Sequence, residues 1–178
     1  MFKRTRLFIA PVTLACLGLL SLTVARADDD DDARCYDLAS LKGNWALDTH
    51  YGNDGAHVAE ALAVRQYDGE GNMKGTFIVN EPVVGSPIGE RKVVHGNAVG
   101  TYTVECDGTG VLNRRITTPA GIVIQSEDFL ITQAVVRHGH LIATVIRDMS
   151  RTPSPVVPGG LFVTRSYTRR PDPPRDDE

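Results

Sequence analysis

The chain has 178 residues, 42% of them hydrophobic and 23% charged, with 19 basic and 22 acidic side chains and a formal net charge of −3. That length supplies one domain with a real core. The acidic balance, with no basic patch interleaved with aromatics, argues against general nucleic-acid or anionic-membrane binding, because a net-negative surface repels both polyanions.

Residues 1–27 read as an export signal, with a basic start at Lys3, Arg4 and Arg6, an apolar run over 7–24 and the small-x-small site Ala25-Arg26-Ala27. Cleavage after Ala27 removes four cations and no acid, moving the formal net charge from −3 to −7. Two alternatives for this segment are a retained membrane anchor and a lipid on Cys16. Pro11, Thr13, Gly18 and Ser21 dilute the apolar run, and Thr13 stands where a lipid-modification box carries Leu. Residues 28–34 hold five consecutive aspartates and read as a solvated acidic tail, and residues 170–178, Pro-rich and charged, read as another. The folded domain is expected over 35–169.

Two cysteines remain in that domain, Cys35 and Cys106, and export delivers them to an oxidising compartment, so they are expected to pair. Closing a loop of 71 residues (106 − 35) contributes up to roughly 4 kcal/mol in the chain-entropy account.

From Cys35 onward the chain reads as short strands parted by Gly, Asn, Asp and Pro. Residues 43–49 put Trp45 and Leu47 on one face. Residues 57–67 form the next strand although Ala, Glu, Leu and Arg are good helix formers, because the segment runs straight into the turn Asp68-Gly69-Glu70-Gly71. Residues 72–80 group Met73, Phe77 and Val79, with Gly75 between them, and 81–97 reads as a long connection. Residues 98–106 set Tyr102, Val104 and Cys106 against Thr101, Thr103 and Glu105. A second turn, Asp107-Gly108-Thr109-Gly110, follows 39 positions after the first (107 − 68) and leads into 110–117. Residues 121–132 are apolar on both sides, and His138-Gly139-His140 marks a turn before 140–147. A Pro-rich connection over 148–160 precedes the last strand at 160–168.

About eight antiparallel strands without a crossover helix predict an all-β domain, either a closed up-and-down barrel or a sandwich. Closure is favoured because it removes exposed strand edges.

The chemistry is sparse. Each Asp-Gly-x-Gly segment offers too few oxygen ligands for a calcium loop and precedes a strand rather than a phosphate-binding helix, so both are read as hairpin turns. His138 and His140 would need a third ligand from elsewhere to hold a metal, and no metal or cofactor is expected. Adjacent Glu127 and Asp128 point to opposite faces of a strand, as do Arg114 and Arg115. An inward Arg115 or Arg147 would meet an anionic ligand or pair with an inward acid. There is no Gly-x-Ser-x-Gly elbow, and the cysteines are assigned to a disulfide.

Gly43-Asn44-Trp45 on the first strand, with Arg165 on the last, resembles the calycin pattern of lipocalins and avidins. That resemblance implies a lipocalin-like barrel whose first-strand Trp closes one end under the last-strand Arg, a contact that gains cation–π attraction. Cys35 and residues 71–77 are similar to an avidin-like opening. Gly100-Thr-Tyr-Thr-Val104 followed by Asp107-Gly-Thr-Gly110 resembles small exported bacterial proteins, some with barrels similar to allene oxide cyclase. No catalytic residue is carried over.

The resulting expectation is an exported, periplasmic or secreted barrel that holds a small, largely apolar molecule, with Trp45, Phe77, Tyr102 and Arg165 as ligand-binding residues and no catalytic ones. Such a protein has no nucleic-acid partner and no membrane attachment after signal cleavage. Two other readings stand beside it. One is a cyclase-type enzyme in which an inward Glu127, Asp128 or Tyr102 moves a proton, and the other is an interaction module with a filled core.

Overall fold

The computed structural model describes residues 35–51, 59–83, 85, 89–152 and 163–171, without the side chains of His50 and Tyr51. The expected signal over 1–27, Cys16, the acidic tail and most of 170–178 lie outside the described residues, as do parts of both long connections. A one-turn 3-10 helix, Leu38–Leu41, precedes eight strands: β1 Gly43–Tyr51, β2 Ala59–Tyr67, β3 Asn72–Pro82, β4 Arg91–Val104, β5 Thr109–Thr118, β6 Gly121–Arg137, β7 His140–Ser150 and β8 Thr164–Arg169. Each strand pairs antiparallel with the next and β8 returns to β1, giving the all-β closed up-and-down barrel that the alternation predicts. No helix among the described residues is long and apolar enough to cross a membrane.

Period-two burial is clearest on β2, where Ala59, Ala61, Arg65 and Tyr67 are buried and Glu60, Leu62, Val64 and Gln66 are exposed. Helix propensity in that segment yields to burial, because one face lines the interior and each neighbour offers a hydrogen-bonding edge. Both Asp-Gly-x-Gly segments are hairpin turns. Asp68 Oδ1 accepts from the backbone N–H groups of Glu70 and Asn72 at 2.7 and 2.9 Å, and Asp107 Oδ1 accepts from the N–H and hydroxyl of Thr109 at 2.9 and 2.7 Å. Gly69 and Gly108 take the positive φ that such turns require, +83° and +86°. His138-Gly139-His140 turns β6 into β7, with both imidazoles exposed.

Several boundaries differ from the sequence reading. Residues 91–97, expected within a connection, form the first half of β4, because inward Val94 and Gly96 alternate with outward Val93, His95 and Asn97. Cys106 sits in the β4–β5 turn and not on the strand face shared by Tyr102 and Val104. The last strand spans Thr164–Arg169, one residue beyond the expected 168, while 160–162 lie outside the described residues, and β6 runs five residues beyond 132 to Arg137 through an irregular register at Gln133.

Four inward glycines make room for large neighbours. Gly75 pairs across strands with Arg65, Gly96 with Phe77, Gly100 with Arg114 and Gly110 with Phe129. A Cβ built on Gly96 would lie 2.1 Å from the Phe77 ring, and one on Gly110 would lie 2.2 Å from the Phe129 ring. An aromatic folded over a cross-strand glycine fills the space that a barrel interior cannot give to two side chains.

One end is packed solid. Leu41 and Trp45 are fully buried, and Trp45 Nε1 donates to the Leu41 carbonyl at 2.9 Å. Trp45, Tyr67 and Tyr102 stack edge to face, with centroids 6.2 and 5.0 Å apart, and the Tyr102 hydroxyl donates to Leu38 O at 3.0 Å. Cys35 and Cys106 form a disulfide at this end, with Cα atoms 4.4 Å apart.

Gly96→Val is expected to lower stability by about 1–3 kcal/mol through overpacking against Phe77. Urea titration followed by the fluorescence of the single tryptophan, Trp45, measures this, and adding Phe77→Ala should recover part of the loss. Replacing both Cys35 and Cys106 by Ser is expected to cost about 2–4 kcal/mol in the same assay.

Candidate functional site

Above the sealed end, the barrel carries charge at its waist. Arg65 from β2, Arg114 from β5, Glu127 from β6, Asp148 from β7 and Arg165 from β8 all point inward and are buried, each at most 8% exposed. Alternation puts them there: each lies an even number of residues from apolar inward neighbours such as Tyr67, Leu112, Phe129, Ile146 and Tyr167. Arg65 and Arg114 reach inward over Gly75 and Gly100, whose missing side chains leave the necessary space.

The pairing is uneven. Arg165 Nε donates to Asp148 Oδ1 at 2.7 Å, and its Nη2 pairs with Glu127 Oε1. Arg114 Nη2 pairs with the same Glu127 oxygen and donates to Gln125 Oε1 at 2.6 Å. The Tyr167 hydroxyl donates to Asp148 Oδ2, and Gln125 Nε2 donates to Ser150 Oγ at 3.4 Å. Arg65 stands apart. Its Nη1 lies 3.6 Å from Glu127 and 3.8 Å from Asp148, and neither Nη1 nor Nη2 has a hydrogen-bond partner. Its guanidinium carbon sits 4.5 Å from the Tyr167 ring centroid.

The two carboxyls are driven in opposite directions. Burial pushes Glu127 up, but Arg114, Arg65 and Arg165 together outweigh it and hold Glu127 at about 2. Burial raises Asp148, Arg165 pulls against it, and the neighbouring Glu127 charge adds to the rise, so its net shift is upward. Burial also holds the Tyr167 hydroxyl well above its ordinary range, which keeps it a donor to Asp148.

A cavity of about 50 Å³ lies on the loop side of this waist. Arg65, Arg114, Gln125 and Arg165 border it on the charged side. Ala61, Ala63, Phe77, Val79, Ala98 and Ile116 border it elsewhere. Inward residues nearer the loop end, Val94, Thr118 and Val123, are only half-buried. A larger open cleft of about 1210 Å³ runs along the outside of the sealed end, beside the 3-10 turn and the β6–β7 hairpin. None of the buried polar atoms without a hydrogen-bond partner lies along it, so the interior cavity is the better candidate site.

Of the four expected ligand-binding residues, Phe77 and Arg165 border the cavity, while Trp45 and Tyr102 are packed into the sealed end. The arginine over Trp45 is Arg169, 4.8 Å from the ring, and not Arg165. Both lie on the inward face of β8, but only Arg169 is paired with Trp45 in the strand register. Arg169 also donates to Ala143 O at 2.6 Å, to Ser40 O at 2.9 Å and to Lys42 O, tying β8 to the 3-10 turn.

Arg115 and Arg147 point outward and are exposed, and the buried cations of the waist are instead Arg65, Arg114 and Arg165. Asp128 also faces out, paired with Arg151 at 2.6 Å. Among the described residues no cluster of His, Cys, Asp and Glu has a metal-binding arrangement. Comparison with protein-family models, curated proteins and solved structures gave no match.

Sequence reasoning missed Arg65, Arg114, Gln125 and Asp148 as a group. The signal was present at Arg65, which shares the period-two face of Ala61 and Tyr67, but placing the others, on β5, β6 and β7, needed the register of three further strands.

Glu127→Gln is expected to destabilise the fold by about 3–5 kcal/mol, since it removes a carboxylate that compensates three buried cations. The Glu127 carboxyl is depressed from 4.5 to about 2, so its stabilisation is fully present above about pH 4.5 and is lost as pH falls through about 2. Asp148 acts in the opposite sense, contributing most when protonated and less as pH rises through its raised value. Subtracting the stability of Glu127→Gln from that of the native chain between pH 2 and 5 should therefore give a difference that shrinks on acidification.

Proposed function

We propose that this chain is an exported, lipocalin-like binding protein that holds a small, largely apolar molecule in the loop-end half of its barrel. One observation carries the reading: the two halves of the interior are built differently. The sealed half is filled by Trp45, Tyr67, Tyr102, Phe129 and Ile146, whereas the other half turns three alanines, Ala61, Ala63 and Ala98, toward Phe77 and leaves a cavity. Its volume, about 50 Å³, is small, so it accepts one end of a ligand whose body lies along Phe77, Val94 and Val123.

Three features support the wider assignment. The Cys35–Cys106 disulfide suits an oxidising compartment, in agreement with the export signal read over 1–27. Trp45 beneath a last-strand arginine, Arg169, is the contact that the calycin resemblance implies. The cyclase reading is weaker, because it requires an acid in the cavity away from any Arg: Glu127 and Asp148 at the waist are arginine-paired, and the third buried acid, Glu81, is paired with Lys92 and does not border the cavity.

A second reading has its own observation. Leu62 and Ile78 are paired across β2 and β3 on the outer face and are 64% and 46% exposed, and Val64 lies beside them on β2. Such a patch suits an interaction module.

Ala63→Leu is expected to fill the cavity and abolish displacement of a hydrophobic dye, while leaving the unfolding midpoint within the range of a modest overpacking loss, about 1–3 kcal/mol. Dye binding that survives the substitution places the site elsewhere. Sedimentation that shows concentration-dependent self-association, abolished by Leu62→Ser and Ile78→Ser, would favour the interaction module.

A further inference from the structure

Resting on the binding reading above, we propose that the ligand is a monoanionic amphiphile, a carboxylate with an apolar body, and that Arg65 is the residue that takes its head group. Three guanidiniums face two carboxylates at the waist, so the interior carries one cation more than its acids match. The excess can be assigned to one residue. Arg114 is engaged by Glu127 and Gln125, and Arg165 by Glu127 and Asp148. Arg65 alone reaches its acids only at 3.6 and 3.8 Å, with both terminal nitrogens buried and lacking a hydrogen-bond partner.

A buried guanidinium whose two terminal nitrogens lack hydrogen bonds is costly, and an incoming acceptor removes that penalty. The position is also right for a ligand, since Arg65 borders the cavity together with Arg114 and Gln125 while alanines, Phe77 and Ile116 form the rest of the wall. A planar fork of two N–H donors suits the two oxygens of a carboxylate. One surplus positive charge suits a monoanion better than a dianion, which would leave a buried negative charge uncompensated. The cavity admits a carboxylate and little more, so the apolar body must extend toward the loop end.

The experiment compares hexanoate, hexan-1-ol and hexanamide by calorimetry and native mass spectrometry, using the protein as recovered from an exporting host. Hexanoate is expected to bind about tenfold or more tightly than either neutral analogue, the factor expected of a charge-assisted hydrogen-bonded pair. Arg65→Met should erase that preference while still binding hexan-1-ol, and Arg65→Lys should retain part of it. Equal affinity for acid and alcohol would overturn the head-group assignment and leave the apolar pocket standing, whereas binding of none of the three would remove both. A preference for hexanoate that persists in Arg65→Met would also overturn the role of Arg65. If Arg65→Met does not fold, the wild-type comparison and Arg65→Lys still decide the question. Competition by chloride as effective as that by hexanoate would reduce the site to an inorganic-anion site and defeat the amphiphile.

Discussion

An ionised side chain inside a barrel must be met by opposite charge, and here that requirement ties five strands together. Arg65, Arg114, Glu127, Asp148 and Arg165 come from β2, β5, β6, β7 and β8, and no two belong to the same strand. A slip of one residue in any of these strands would turn its charge outward and leave a buried partner without compensation. Such pairs add little net stability over well-packed apolar side chains, but removing one member is costly. What the cluster imposes is registration. The hydrophobic layer below it, from Trp45 to Ile146, depends on the same register, because both sets lie on the same inward faces.

The two halves of the interior thus have separate tasks. Below the waist, the 3-10 turn, the aromatic stack and Arg169 close the barrel, and the disulfide joins the start of the domain to the β4–β5 turn. Above it, small side chains and half-buried apolar ones leave the wall incomplete. Glycines serve both halves. Gly110 yields to Phe129 in the sealed part, and Gly96 yields to Phe77 beside the cavity. The same device therefore packs one end and shapes the other.

Much of this architecture was legible in the chain. Alternation on β2 and around Tyr102, with the paired Asp-Gly-x-Gly turns, specified antiparallel neighbours and a strand count of eight. The first half of β4 was not legible, because Gly96 and Asn97 look like loop residues until Phe77 is seen covering the glycine. Arg169 falls one residue beyond the expected last strand at 160–168, so Arg165 took the place beside Trp45; β8 in fact reaches Arg169, and the β1–β8 pairing sets that residue opposite the indole. The charged waist was hidden for a different reason. Residues from Arg65 to Arg165 become neighbours only when the sheet closes, and no local pattern records closure.

Closure has a kinetic side. Seven of the eight strand pairings join segments adjacent in the chain, whereas the eighth unites Trp45 with Arg169 and Leu47 with Tyr167 across more than two thirds of the sequence. Loop-closure entropy grows with the length of chain enclosed, so the long-range ordering of the fold is concentrated in that single short seam. Arg165 arrives with it, so until β8 docks, Glu127 and Asp148 lack the guanidinium that bridges them. The strand that completes the ring therefore also brings the cation that bridges its two waist acids and, with it, the surplus positive charge of the interior.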